Sequence, residues 1–136
     1  MQRIVLLGTL GVYWLALFIG THMPQGIQGL DNINDKLLHF AAYAGLAFLL
    51  AVTLTTVRLR HGALLLPMLI AAVYGCVDEV SQSAVPGRHA DVADWAADVF
   101  GAGLGVIVFS LLSLALVKYF APPAAAECEA VTKSAA

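Results

Sequence analysis

Asp35-Lys36-Leu37-Leu38-His39-Phe40-Ala41-Ala42-Tyr43 opens a long apolar run, and the reading of these nine residues decides the fold. On a helix Asp35, His39 and Tyr43 recur every four positions and share one face, with Lys36 beside them. No further charge appears until Arg58. The segment is therefore long enough to cross a bilayer, while its first turns carry groups that lipid solvates poorly. Such groups must turn toward protein, which predicts a membrane helix whose mouth forms one wall of a polar cluster.

Composition agrees with that reading. Hydrophobic residues make up 60% of the 136-residue chain and charged residues only 12%, against about a quarter charged in an ordinary soluble domain. Four apolar stretches fill most of the length and leave no room for a separate soluble module. The predicted fold class is all-α, a polytopic membrane protein built as a bundle of four transmembrane helices. The net charge of -2 argues against a nucleic-acid partner. Cys76 lies in an apolar run and Cys128 near the end, which argues against a disulfide framework.

The four helices are expected at about 4–21, 35–57, 63–82 and 91–120, making 1–120 one membrane domain and 121–136 a disordered tail. A signal peptide competes for the first stretch. Ile19-Gly20-Thr21-His22 is a poor small-x-small cleavage site, so an uncleaved first helix is expected. Pro24, Gly26 and Gly29 break that helix, and Asn34 or Asp35 caps the second, with Asp35 the preferred cap. Only fifteen residues, Ala63 to Val77, precede Asp78. They span roughly 22 Å at 1.5 Å per residue, less than the ~30 Å hydrocarbon core. Asp78 and Glu79 are therefore expected inside the membrane's edge. Pro86-Gly87 marks a tight turn before the fourth helix.

Basic residues set the orientation. Arg3, Arg58, Arg60, Lys118 and Lys133 fall on one side of a four-crossing chain, and Lys36 and Arg88 on the other. The positive-inside rule then places both termini in the cytoplasm and the polar cluster on the outer side.

Each helix mouth at that outer end has polar residues at helical spacing. Asp35, His39 and Tyr43 line the second helix, Glu79 and Gln82 the third, and Asp91, Asp94 and Asp98 the fourth; Asp78 is expected to turn aside and His89 to sit at the edge. Acids at this end, from Asp31 to Asp98, outnumber the bases Lys36 and Arg88 by seven to two. Unbalanced carboxylates in a confined site point to raised proton affinity, a bound cation or a ligand with its own positive group. His39, Glu79 and Asp94 are the candidate acid/base or ligand-orienting residues. Lys36, Tyr43, Gln82, Arg88 and Asp98 are the candidate ligand contacts, with the planar fork of Arg88 suited to phosphate. No cofactor is expected. A divalent cation on His39, Glu79 and Asp94 or Asp98 is the candidate metal, without a compact ligand motif to specify it. Gly101 and Gly105 form a small-xxx-small face open to another helix, including one from a second copy.

Taken together, Asp35-Lys36-x-x-His39-Phe40-x-x-Tyr43, Asp78-Glu79-x-x-Gln82, Pro86-Gly87-Arg88 followed by Asp94, and Gly101-x-x-x-Gly105 resemble the VanZ-like family of small bacterial membrane proteins. The resemblance covers about positions 30 to 110. It implies a cell-envelope membrane protein, and the family's named member is associated with resistance to the glycopeptide teicoplanin. Lys36, His39, Tyr43, Glu79, Gln82, Arg88 and Asp94 carry over one by one, whereas Asp98 stands where family members commonly carry Asn. The leading functional expectation is an outward-facing site that binds or processes an anionic lipid headgroup, with membrane lipids and a lipid-linked cell-wall precursor as partners. The alternatives are a structural polar network, or proton- or cation-coupled transport by an oligomer. Whether the chain is an enzyme is left open by its residues.

Overall fold

The computed structural model describes residues 1–24, 34–56 and 64–120. Four helices follow one another: α1 (Gln2–Thr21), α2 (Asp35–Thr56), α3 (Leu65–Gln82) and α4 (Val92–Phe120). There is no strand among the described residues. All four are long and apolar enough to cross a membrane. The shortest, α3, has 18 residues, or roughly 27 Å of helix. The expected tail over 121–136, and Arg58, Arg60 and Lys133 used for orientation, lie outside the described residues.

The distribution of side chains is inverted relative to a soluble domain. Ile4, Leu7, Leu15, Leu65, Phe100 and Leu111 are exposed, while His39, Asp78, Glu79, Gln82 and Asp98 are buried. In water that arrangement would be costly on both counts. In lipid it is the favourable one, because the apolar exterior needs no water and the polar groups find partners inside. The chain is a multi-pass membrane protein.

The helices alternate in direction, so the end of α1, the start of α2, the end of α3 and the start of α4 gather at one end of the bundle. The tightest packing is between α2 and α4, and it depends on two glycines. A Cβ on Gly101 would run into the carbonyl of Phe40, and one on Gly105 into the carbonyl of Ala44. Backbone meets backbone there, as the small-xxx-small pattern predicts. The partner helix, however, belongs to the same chain. Both glycines are buried against α2, and this face is not free to hold a second copy.

Around this pair α1 and α3 pack more loosely. Tyr13 reaches from α1 to donate its hydroxyl to the Ala42 carbonyl at 2.9 Å. Trp14 and Tyr74 meet edge to face at 5.0 Å, joining α1 to α3. Leu10, Leu17, Leu46, Leu50 and Ala71 complete the apolar core. Pro67 falls in the first turn of α3, where a missing N–H disrupts no helical bond.

Candidate functional site

Local chemistry fixes how each helix enters the polar end. Asn34, not Asp35, caps α2: its side-chain oxygen accepts from the Lys36 N–H at 3.0 Å and its carbonyl from Leu37 and Leu38. The carboxylate of Asp35 is thereby left for Arg88, whose Nη1 lies 3.2 Å away. Asp91 caps α4 through the Ala93 N–H at 2.8 Å. Between α3 and α4, Arg88 N–H donates to the Val85 carbonyl at 3.0 Å and Gly87 has φ of 83°. Pro86 and Gly87 thus occupy the central positions of a type II turn, the second of which requires positive φ. The turn brings Arg88 back over the mouth of α2.

Three ion pairs, made by two basic residues, form the rim. Lys36 Nζ lies 2.8 Å from both Asp91 and Asp94, bridging α2 to α4. Its side chain is 45% exposed. The hydrogen bond from Lys36, reinforced by one from the Ala93 N–H, holds the Asp91 carboxyl below the usual carboxylate range. Arg88 with Asp35 is the third pair, and Arg88 also reaches the Met23 carbonyl at 3.4 Å.

Beneath the rim the groups are sealed in. His39 Nδ1 lies 2.9 Å from Asp98 Oδ1 and 3.8 Å from Glu79 Oε1. The other oxygen of Glu79 accepts the Asp91 backbone N–H at 2.8 Å. Asp98 is 0% exposed, and its Oδ2 has no hydrogen-bond partner. Space for that oxygen exists because residue 75 is glycine; a Cβ there would lie 2.8 Å from it.

Asp78 corrects the sequence expectation. It does not turn aside but is 1% exposed at the centre of a second knot. It accepts from Thr21 at 3.1 Å, Gln82 at 3.0 Å and Tyr43 at 3.3 Å. A helix places positions 78, 79 and 82 within one broad face, and with neighbours on three sides both adjacent acids turn inward. His89 is exposed, as expected.

Helix α1 also contributes to this end, beyond the residues expected from the sequence. Thr21 joins Asp78, and His22 lies 3.7 Å from Asp78 and 2.9 Å from the Ser81 hydroxyl. The available signal was Thr21-His22 itself, the first polar pair after an apolar run that ends on the same side as the cluster. The residues singled out from sequence therefore divide into three groups: Lys36, Arg88 and Asp94 at the rim; His39, Glu79 and Asp98 together below it; and Tyr43 and Gln82 on Asp78.

The charges in these groups are not matched. Both rim bases are spent on Asp35, Asp91 and Asp94, whereas among the described residues Asp78, Glu79 and Asp98 have only histidines as cationic neighbours. The arrangement can exchange protons, accept a cation below the rim, or open its exposed pairs to an anion above it.

Residues 3–113 match the protein-family model described as VanZ/LLP1. The match takes in most of the four helices, including α1. No curated protein and no solved structure matches the chain.

Proposed function

The chain belongs to the VanZ/LLP1 family, and from that premise we propose that it holds the phosphate-bearing headgroup of an envelope lipid, such as a lipid-linked cell-wall precursor, at the polar end of its bundle. The observation that carries this reading is the rim. Lys36 and Arg88 stand at a mouth reachable from the lipid, and their carboxylate partners Asp91 and Asp35 are about half exposed. Exposed ion pairs contribute little stability and exchange readily. A phosphate can replace Asp35 on the Arg88 fork and Asp91 on Lys36, forming charge-assisted bonds in their place. The apolar flanks of the helices would accommodate the lipid's chains. His39 and Glu79 beneath the rim, with Asp94 at it, would orient the headgroup or exchange protons with it.

By the positive-inside rule this mouth faces outward from the bacterial inner membrane with both termini cytoplasmic. A reporter fused after Phe120 should be active inside the cell and silent outside. The link to glycopeptide susceptibility of the teicoplanin type belongs to the same reading. Lys36→Ala, Arg88→Ala, His39→Ala and Glu79→Gln should each change susceptibility and weaken lipid binding while the protein accumulates normally. Unchanged values at normal abundance would refute it.

A structural network is the second reading, favoured by the three donors that converge on Asp78. On that reading the same substitutions lower abundance and thermal stability together, with no separate loss of binding.

A further inference from the structure

We infer that the buried triad His39, Glu79 and Asp98 is a binding site for one divalent transition cation of the Zn2+ or Mn2+ class. This deepens the headgroup reading of the same site, but rests on separate observations. Each of the three residues offers a ligand atom, and these atoms all lie within 4.8 Å of one another. The two measured edges from His39 Nδ1, 2.9 Å to Asp98 and 3.8 Å to Glu79, bracket the separation that ligands have around such an ion. With metal–ligand bonds of about 2.0–2.2 Å, tetrahedral ligands stand roughly 3.3–3.6 Å apart. Adjustments of a few tenths of an ångström bring these two edges to that separation, and the third, between Glu79 and Asp98, lies within 4.8 Å.

Two further features distinguish this triad from a casual cluster. Asp98 is fully buried with Oδ2 unpartnered, so its carboxylate has coordinating capacity that the protein leaves unused. Glu79 is already oriented as a metal-ligating carboxylate would be. Its Oε2 is tied to the Asp91 N–H at 2.8 Å, and its Oε1 is the oxygen on the His39 side. Neither acid has a lysine or arginine partner among the described residues. A divalent ion supplies the two positive charges that these carboxylates lack.

A second grouping, Asp35, His39 and Asp94, also has ligand spacing. It is the weaker site, because Arg88 and Lys36 already neutralise its carboxylates. One imidazole and two carboxylates suit Zn2+ or Mn2+ better than a soft ion, which prefers thiolate. Three protein ligands leave a coordination position open, which a headgroup phosphate oxygen would fill if the proposed function holds. Binding through Nδ1 requires the proton now between His39 and Asp98 to leave, so metal uptake releases a proton to solvent.

The test uses the full chain in lipid nanodiscs, stripped with chelator and titrated with Zn2+ and separately with Mn2+. At least one of the two should bind at one ion per chain, release protons and raise the melting midpoint. Glu79→Gln and Asp98→Asn should each weaken binding at least tenfold, and His39→Gln likewise, while Asp35→Asn leaves it unchanged. Helicity measured without metal identifies any variant that fails to fold, and the remaining two then decide. The inference is overturned if the wild type binds neither ion, if the folded triad variants bind as well as the wild type, or if Asp35→Asn is the variant that abolishes binding. Ion binding without any affinity for phosphate lipid would refute the headgroup reading alone.

Discussion

His39 on α2 and Asp98 on α4 meet at 2.9 Å between Nδ1 and Oδ1, and both side chains are shut away from solvent. The contact ties together the two helices whose backbones approach most closely, one turn or less from Gly101. Removing one member leaves the other buried without its partner. Asp98→Ala should therefore cost about 3–5 kcal/mol, the range for breaking a buried pair from one side. Asp98→Asn keeps an acceptor oxygen and should cost clearly less. Thermal unfolding in detergent, with helicity as the readout, separates the two.

The α2–α4 contact makes a sharper steric prediction. Gly101→Leu places a side chain against the Phe40 carbonyl, and backbone cannot move aside as a flexible side chain can. A loss of about 1–3 kcal/mol, toward the upper end, is expected from overpacking. Gly103 lies two residues away, and a Cβ there meets only Met68 Cε at 4.0 Å. Gly103→Ala should be neutral or gain up to about 1 kcal/mol from helix propensity. Parallel melting curves for the two variants check the pair.

Gly75 offers a way to disturb Asp98 without altering a polar residue. An added methyl would stand 2.8 Å from Oδ2 and 3.3 Å from the Tyr43 ring. Gly75→Ala should displace the carboxylate from His39. It should reduce ligand or ion binding as Asp98→Asn does, while the helix content stays intact. Binding that survives in Gly75→Ala would show that Asp98 is free to move in its seat and would contradict this prediction.

Asp91 provides the pH prediction. Its carboxyl is held low chiefly by the hydrogen bond from Lys36. A depressed acid stabilises the folded state fully above its ordinary value, about 3.9, and that contribution fades as pH falls through the lowered folded value. The Lys36 bridge should thus persist at pH values where free aspartate is half protonated. Lys36→Met should return the Asp91 titration toward the ordinary range, read from carboxylate chemical shifts.

Much of this architecture was legible in the sequence because a membrane makes each apolar run and each misplaced charge conspicuous. Helices α2 and α4 begin within a residue of the expected positions 35 and 91, and the period of Asp35, His39 and Tyr43 placed His39 inside. What escaped were features that depend on neighbours. Asp78 and Glu79 are adjacent, and a single helical face was expected to admit only one. Burial on three sides admits both, since Thr21 and Tyr43 reach Asp78 from other helices. Asp35 had the residue type of a cap, yet Asn34 took that role once Arg88 came within reach across the Pro86-Gly87 turn. Gly101 and Gly105 signalled a close helix contact correctly, but a pattern on one helix does not say which helix answers it.

The most direct test of the central claim compares binding of a lipid with a terminal phosphate to that of a neutral lipid with the same chains, using wild type and the Lys36→Ala/Arg88→Ala double variant in nanodiscs. The account predicts that the wild type prefers the phosphate lipid at least tenfold and that the double variant loses the preference while keeping its helicity. Equal binding of the two lipids by wild type, or an undiminished preference in a folded double variant, would contradict it.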